Sequence, residues 1–198
     1  TRHSHQDRGG SAQANGGSHG IADLHASWSG GSDGLGVRLS AAQTRDNGFS
    51  GIHDSRRSQT VSLRSDYRLD ARDEVTLRAG YNRAQRDLGY PDSVFGNNGE
   101  RTTGTEGSTI HLTWRRAVAD DEEWLVSLYR NHESGTDRWL ASAPPAYPAV
   151  PLDRNRSSDR SNLELQHRFA LNPQARLVWG LESRRDRTEA PFLFAGSN

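Results

Sequence analysis

The sequence predicts an all-β chain: an antiparallel up-and-down transmembrane β-barrel meander of about eight strands, part of a larger barrel. Three observations lead there. Apolar residues keep a period of two through roughly eight segments of about ten residues each, which is the spacing of side chains on one face of a sheet. The connectors between these segments alternate short and long. The large aromatics of the apolar parity gather beside the short turns.

Composition narrows the setting. Only 32% of the 198 residues are hydrophobic, and mean hydropathy is -0.89. A soluble domain of this size carries a larger apolar share for its core. Disordered chains share such numbers, but a disordered chain has no reason to hold parity. The numbers suit strands of which half the side chains face water or a polar lumen. The 25 basic and 25 acidic residues cancel, which argues against nucleic acid as a partner. Every basic residue other than histidine is arginine. Cysteine is absent, excluding disulfides, thiolate metal sites and cysteine catalysis. There is no methionine, no signal peptide and no run near the roughly 20 apolar residues of a membrane helix. The chain therefore reads as a processed product or a fragment.

Residues 1–19, rich in Gly, Ser and Asn, read as a linker or edge segment, and residues 20–198 as the barrel strands. In "IADLHASW", Ala22, Leu24, Ala26 and Trp28 share a face opposite Asp23, His25 and Ser27. After "GGSDG", Leu35, Val37, Leu39 and Ala41 alternate with Gly36, Arg38, Ser40 and Ala42. The polar loop "NGFSGIHDSRRS" leads to a hairpin, "SLRSDYRLDARDEVTLRAGY". There Leu63, Tyr67 and Leu69, then Val75, Leu77, Ala79 and Tyr81, oppose a face carrying Arg64, Asp66, Arg68 and Arg78. A longer loop, "LGYPDSVFGNNGERTTGTEG", precedes the pair "STIHLTWRRAV" and "EWLVSLYRNHES", joined by "ADDE". The proline-rich loop "DRWLASAPPAYPAVPLDRNRSSD" precedes the last pair, "SNLELQHRFAL" and "ARLVWGLESRRD", joined by "NPQ".

Strands of about 9–11 residues suit a tilted bilayer crossing. Short turns on one side and long loops on the other are the organisation of outer-membrane barrels. A soluble sandwich favours strands of about five or six residues and no such rule. Trp28, Tyr67, Trp114, Trp124, Phe169 and Trp179 all lie on the apolar parity near short turns, where an interfacial girdle places its rings. The apolar face then points to lipid and the arginine face inward, and the backbone must be paired in a closed barrel. The chain stops at "TEAPFLFAGSN", which reads as the start of another long loop. With the charged inward face, this favours a fragment of a wider barrel over a self-contained eight-stranded one.

The opening run "TRHSHQDRGGSAQANGGSHGIADLHASWSGGSDGLGVRLSAAQTRDNGFSG" resembles the start of the barrel in TonB-dependent outer-membrane receptors. A Thr-Arg step is followed by a glycine-rich stretch and a first hairpin ending in Asn47-Gly48-Phe49, where that family has "DGF". The hairpin at residues 62–81 resembles the family's "L-R-x-D-Y-x-L...D-E-x-T-L-x-x-G-Y". The resemblance covers most of residues 1–130 and continues in topology alone. It implies a bacterial outer-membrane location and a plugged barrel of about 22 strands. It further implies uptake of a scarce nutrient, chiefly a ferric siderophore. The implied partners are membrane lipid, the protein's own plug domain, the inner-membrane TonB complex, and a small metal-chelate or vitamin ligand. No catalysis and no cofactor are expected.

Ligand capture would fall to the long loops, where Phe49, Tyr90, Phe95, Trp139 and Tyr147 are joined by Arg138, Arg154 and Arg156. Rings and arginines suit anionic, aromatic chelates. The competing reading is that these side chains pack loops on one another or form an outer girdle. His3 and His5 are too few for a stable metal site. His25, His111 and Arg38 face inward, whereas His167 falls on the outward parity, where an imidazole needs a bulge or a protein cover. No Gly-x-Ser-x-Gly elbow or paired-carboxylate motif supports an enzyme. The alternatives to a transport receptor are a self-contained structural or adhesin barrel and a soluble β-sandwich binding module.

Overall fold

The computed structural model describes residues 8–91, 93, 98–143 and 147–191. Eleven strands account for most of them: β1 (Gly9–Gly16), β2 (Ala22–Ser32), β3 (Leu35–Asp46), β4 (Arg56–Arg68), β5 (Asp73–Leu88), β6 (Arg101–Ala119), β7 (Glu122–Thr136), β8 (Arg138–Ala143), β9 (Tyr147–Asp153), β10 (Arg156–Asn172) and β11 (Ala175–Glu189). Nine form one antiparallel sheet in the order β1-β2-β3-β4-β5-β6-β7-β10-β11, and β8 pairs with β9 in a separate hairpin. The eight predicted strands are β2 to β7, β10 and β11, joined as an up-and-down meander.

The turns follow the sequence. Asp33-Gly34 closes β2–β3, with Gly34 at φ 98°; a left-handed position in a tight hairpin favours glycine. At the β4–β5 turn Asp70 Oδ1 accepts hydrogen bonds from the Arg72 and Asp73 amides, at 2.7 and 2.8 Å. These bonds favour the carboxylate and hold its pKa below the ordinary value. The short connections lie at one end of the sheet and the long ones, residues 47–55, 89–100 and 137–155, at the other.

Four expectations are amended. The glycine-rich start is an edge strand: β1 pairs with β2 from Gly9↔Ser29 to Gly16↔Ala22. The strands are longer than about ten residues, because β5, β6, β7 and β10 run on beyond the apolar positions, β6 to 19 residues. The proline-rich loop holds β8 and β9; proline removes a donor but is tolerated where that edge faces no partner. The sheet is also open. β1 and β11 are its two edges and do not pair with each other.

Packing runs along the sheet, strand to neighbouring strand, and among the described residues no second layer covers either face. Ala190 is the one buried hydrophobic residue among them. The accessible surface is 13952 Å², whereas a compact chain of 21.9 kDa exposes about 9,300 Å². Among the described residues the hydrophobic core of a globule is missing, and most apolar side chains of the large sheet stand on one open face.

Candidate functional site

The apolar face carries a continuous belt. Hydrogen-bond register aligns Trp28, Leu39, Leu63, Ala79 and Ile110 in one row. The next row holds Leu77, Leu112, Leu128 and Leu163. Beyond the belt, toward the long loops, the same face turns polar: Gln43 accepts from Gln59 at 2.9 Å, Arg83 meets Glu106 at 3.2 Å, and Arg130 meets Asp159 at 3.1 Å. The belt extends about 20 Å along a strand.

The belt does not follow the hydrogen-bond rows. The row through Ala26 on β2 crosses Ala41, Val61, Tyr81, Ser108, His132 and Asp159 to reach Arg187 on β11. On β11, however, the apolar residues are Leu177, Trp179 and Leu181, centred about eight positions nearer the short turns. Seven strand steps separate β2 from β11, so the belt drifts by roughly one residue per strand. With about 3.3 Å per residue and 4.8 Å between strands, a level belt corresponds to strands tilted by about 38°. Membrane-spanning barrels tilt by about 35–45°.

All six predicted girdle aromatics lie on this face near the short turns. Trp28 lies against Gly30, where an added Cβ would come within 2.5 Å of the ring. Tyr67, Trp114 and Val75 share one row, and Trp114 Nε1 donates to Asp73 Oδ1 at 2.9 Å. Trp124, His167 and Trp179 form another row. His167 stacks on Trp124 at 3.9 Å and 6°, and packs against Phe169 at 4.8 Å. Its ring nitrogens are both engaged: Nδ1 accepts from Trp179 Nε1 at 3.1 Å, and Nε2 lies 3.0 Å from Glu122 Oε1. The outward parity of His167 therefore holds without a bulge at that residue; the aromatic box and Glu122 satisfy the imidazole. Nothing in the alternation pointed to Glu122, which stands at the start of β7.

The opposite face is mainly polar, with Leu125 and Val178 among its exceptions. One row reads Ser29, Arg38, Arg64, Arg78, His111, Tyr129, Asn162, Arg184 and contains no carboxylate. The next row toward the short turns reads Gly36, Asp66, Thr76, Thr113, Ser127, Glu164, Glu182. Asp66 is only 1% exposed. Arg64 grips it in a fork, with Nε at 2.9 Å from Oδ2 and Nη2 at 3.1 Å from Oδ1, and Thr76 donates at 3.1 Å. His111 Nε2 lies 2.9 Å from Ser127 Oγ. Arg184 forks onto Asp186, which also takes Arg160 at 2.7 Å. Among the described residues Arg38 and Arg78 have neither an ion pair nor a side-chain hydrogen bond, and both are exposed.

The loop candidates are placed apart. Trp139 sits between two cations, with Arg101 Cζ 4.2 Å and Arg154 Cζ 5.2 Å from its ring centroid. Arg101 also binds Asp137 at 2.5 Å and Asn98 at 2.9 Å. This cluster pins the base of the β8–β9 hairpin to the start of β6, so Trp139 and Arg154 serve as packing here. Arg138 pairs with Asp153 at 2.8 Å. Phe49 is exposed and touches His19 at 5.3 Å; Tyr90 is exposed on another loop. Phe95, His3 and His5, and the side chain of Tyr147, lie outside the described residues. The structure brings Trp139 and Arg154 together but does not gather the other described candidates with them into one site. No group of three or more metal-ligating side chains occurs among the described residues.

No protein-family model matches the chain, and no curated protein matches it.

Proposed function

We propose that this chain is wall of an outer-membrane β-barrel of the receptor and transporter kind, serving uptake of a scarce nutrient such as a ferric siderophore. The observation that carries the membrane part is the oblique apolar belt. Its drift across the hydrogen-bond rows is what strands tilted by about 38° need in order to present a level band to lipid. The aromatic row at the short-turn border through Tyr67 and Trp114, whose indole N–H reaches Asp73, supports the same reading, while Trp179 lies within the belt on β11. The transport part is supported by the charged polar face, which suits a wide or occupied lumen, and by the resemblance of residues 1–130 to TonB-dependent receptors. In that reading the plug domain and the TonB complex are partners, and the open edges of β1 and β11 pair with further strands.

Membrane fractionation with an uptake assay tests it. The chain is expected in the outer-membrane fraction, extractable only with detergent, and its loss should abolish uptake of a radioactive iron chelate. A chain that is monodisperse without detergent overturns the membrane reading. A 198-residue unit that folds alone in micelles, with uptake unchanged by its loss, leaves a self-contained structural or adhesin barrel instead.

A further inference from the structure

Three arginines stand directly side by side on the polar face: Arg38 on β3, Arg64 on β4 and Arg78 on β5. Like charges directly opposite one another destabilise a sheet. Asp66 offsets the central one, held in Arg64's two-pronged grip. The outer two are left without a counter-charge among the described residues. Their Cα atoms are two strand spacings apart, about 10 Å, within the reach of two guanidinium forks converging on one ligand. Toward the long loops the adjoining row offers Ser40 and Ser62 hydroxyls and then Gly80, which the Thr109 methyl approaches closely enough to lie 3.2 Å from an added Cβ. On the outer side of the same strands lies the middle of the apolar belt, so the lipid face supplies no counter-charge.

We propose that Arg38 and Arg78, with Ser40 and Ser62 beside them, bind the oxyanion of a small solute, a carboxylate or phosphate group, on this face. The proposal rests on the reading that the face lines a lumen, and it names the chemistry of what that lumen accepts. Guanidinium forks match carboxylate and phosphate oxygens two at a time, and arginine fits such groups better than lysine does. Arg64 does not contribute a free charge; its paired fork fixes the spacing of its neighbours. The carboxylates Asp66, Glu164 and Glu182 lie in the adjoining row on the short-turn side, so an anion reaching the arginines from the long loops meets hydroxyls first.

The test uses the detergent-solubilised full chain titrated calorimetrically with citrate and with inorganic phosphate, the two probes separating carboxylate from phosphate preference. Saturable binding of at least one probe is expected, weakening as chloride is raised. The double variant Arg38→Gln/Arg78→Gln should lose at least tenfold in affinity, and Arg38→Lys/Arg78→Lys should fall between it and the parent. Far-UV circular dichroism confirms that each variant folds, and Arg160→Gln, a charge removed elsewhere on the same face, serves as the control that should bind as the parent does. Equal binding by the parent and the glutamine variant, or no saturable binding by the parent, overturns the proposal. Membrane fractionation is independent of it: a chain found in detergent-free solution that still binds citrate through Arg38 and Arg78 keeps the anion site and removes the lumen.

Discussion

The indole Nε1 of Trp179 donates a hydrogen bond to Nδ1 of His167 across the last hairpin, at 3.1 Å. That bond fixes the tautomer: with Nδ1 accepting, the proton sits on Nε2 and faces Glu122. A polar ring is thereby made tolerable on the face that otherwise holds the apolar belt. His167→Leu leaves the Trp179 N–H without its acceptor and should cost about 1–3 kcal/mol in urea unfolding from micelles. Trp179→Phe removes the same bond from its other end. Together the two changes should cost less than their sum, because both delete one interaction; strict additivity would show that the contact contributes nothing.

Asp66 makes the complementary case on the polar face. It is the most buried charged side chain among the described residues, and its bonds come from Arg64 and Thr76. Removing one partner of a buried pair strands the other charge. Asp66→Ala is expected to destabilise by about 3 kcal/mol, and adding Arg64→Met to it should recover a large part of that loss. If the double variant is no better than Asp66→Ala, the penalty does not come from a stranded Arg64.

Much of this fold is written in the alternation itself. Leu35, Val37 and Leu39 against Gly36, Arg38 and Ser40 fix both the strand and its faces, because a one-residue slip would reverse every side chain. The shared face of Trp28, Tyr67, Trp114, Trp124, Phe169 and Trp179 is legible for the same reason. The β8–β9 hairpin is not, because Pro148 and Pro151 interrupt the apolar rhythm around Val150 and Leu152. The strand extensions are missed because their residues, such as Arg83 and Glu106, are polar on both faces. The arginine row is invisible for another reason. Arg38, Arg64 and Arg78 share a parity, but only the pairing register shows that they are neighbours. His167 depends on Glu122, 45 residues away, which no local spacing encodes.

Asp87 links pH to the long-loop end. Its Oδ2 accepts from Ser55 at 2.5 Å and its Oδ1 from Thr102 at 2.6 Å, with His53 at 3.7 Å. The Ser55 hydroxyl first, then that of Thr102, favours the carboxylate and holds its pKa below the ordinary value. A depressed carboxylate stabilises the fold above the unfolded-state pKa, about 3.9, and that contribution is lost as pH falls through the lower folded-state value. Loop 47–55 should therefore keep its amide-exchange protection from pH 7 down to about 5, after correction for intrinsic rates, and lose it only below about pH 4. Asp87→Asn should lose protection several-fold already at pH 7 and show no further acid step. An acid step that survives in Asp87→Asn would assign the effect to another group.

The tilted belt makes a graded prediction that a soluble sheet does not. Leu39 sits in mid-belt, whereas Gln43, four residues along the same strand and on the same face, lies past its polar border. In a bilayer, Leu39→Arg should cost about 2–4 kcal/mol, and Gln43→Arg no more than about 1 kcal/mol. The same contrast applies on β11, but displaced: Trp179→Arg should cost as much as Leu39→Arg, and Ser183→Arg should be nearly neutral. Ser183 pairs with Leu163 and so lies one row from Leu39, on its short-turn side. A belt parallel to the hydrogen bonds would make Ser183→Arg the more costly of the two β11 variants. Refolding midpoints in lipid vesicles for the four variants measure the slope directly. A Ser183→Arg penalty above that of Trp179→Arg would remove the 38° tilt, and with it the strongest support for a membrane-spanning wall.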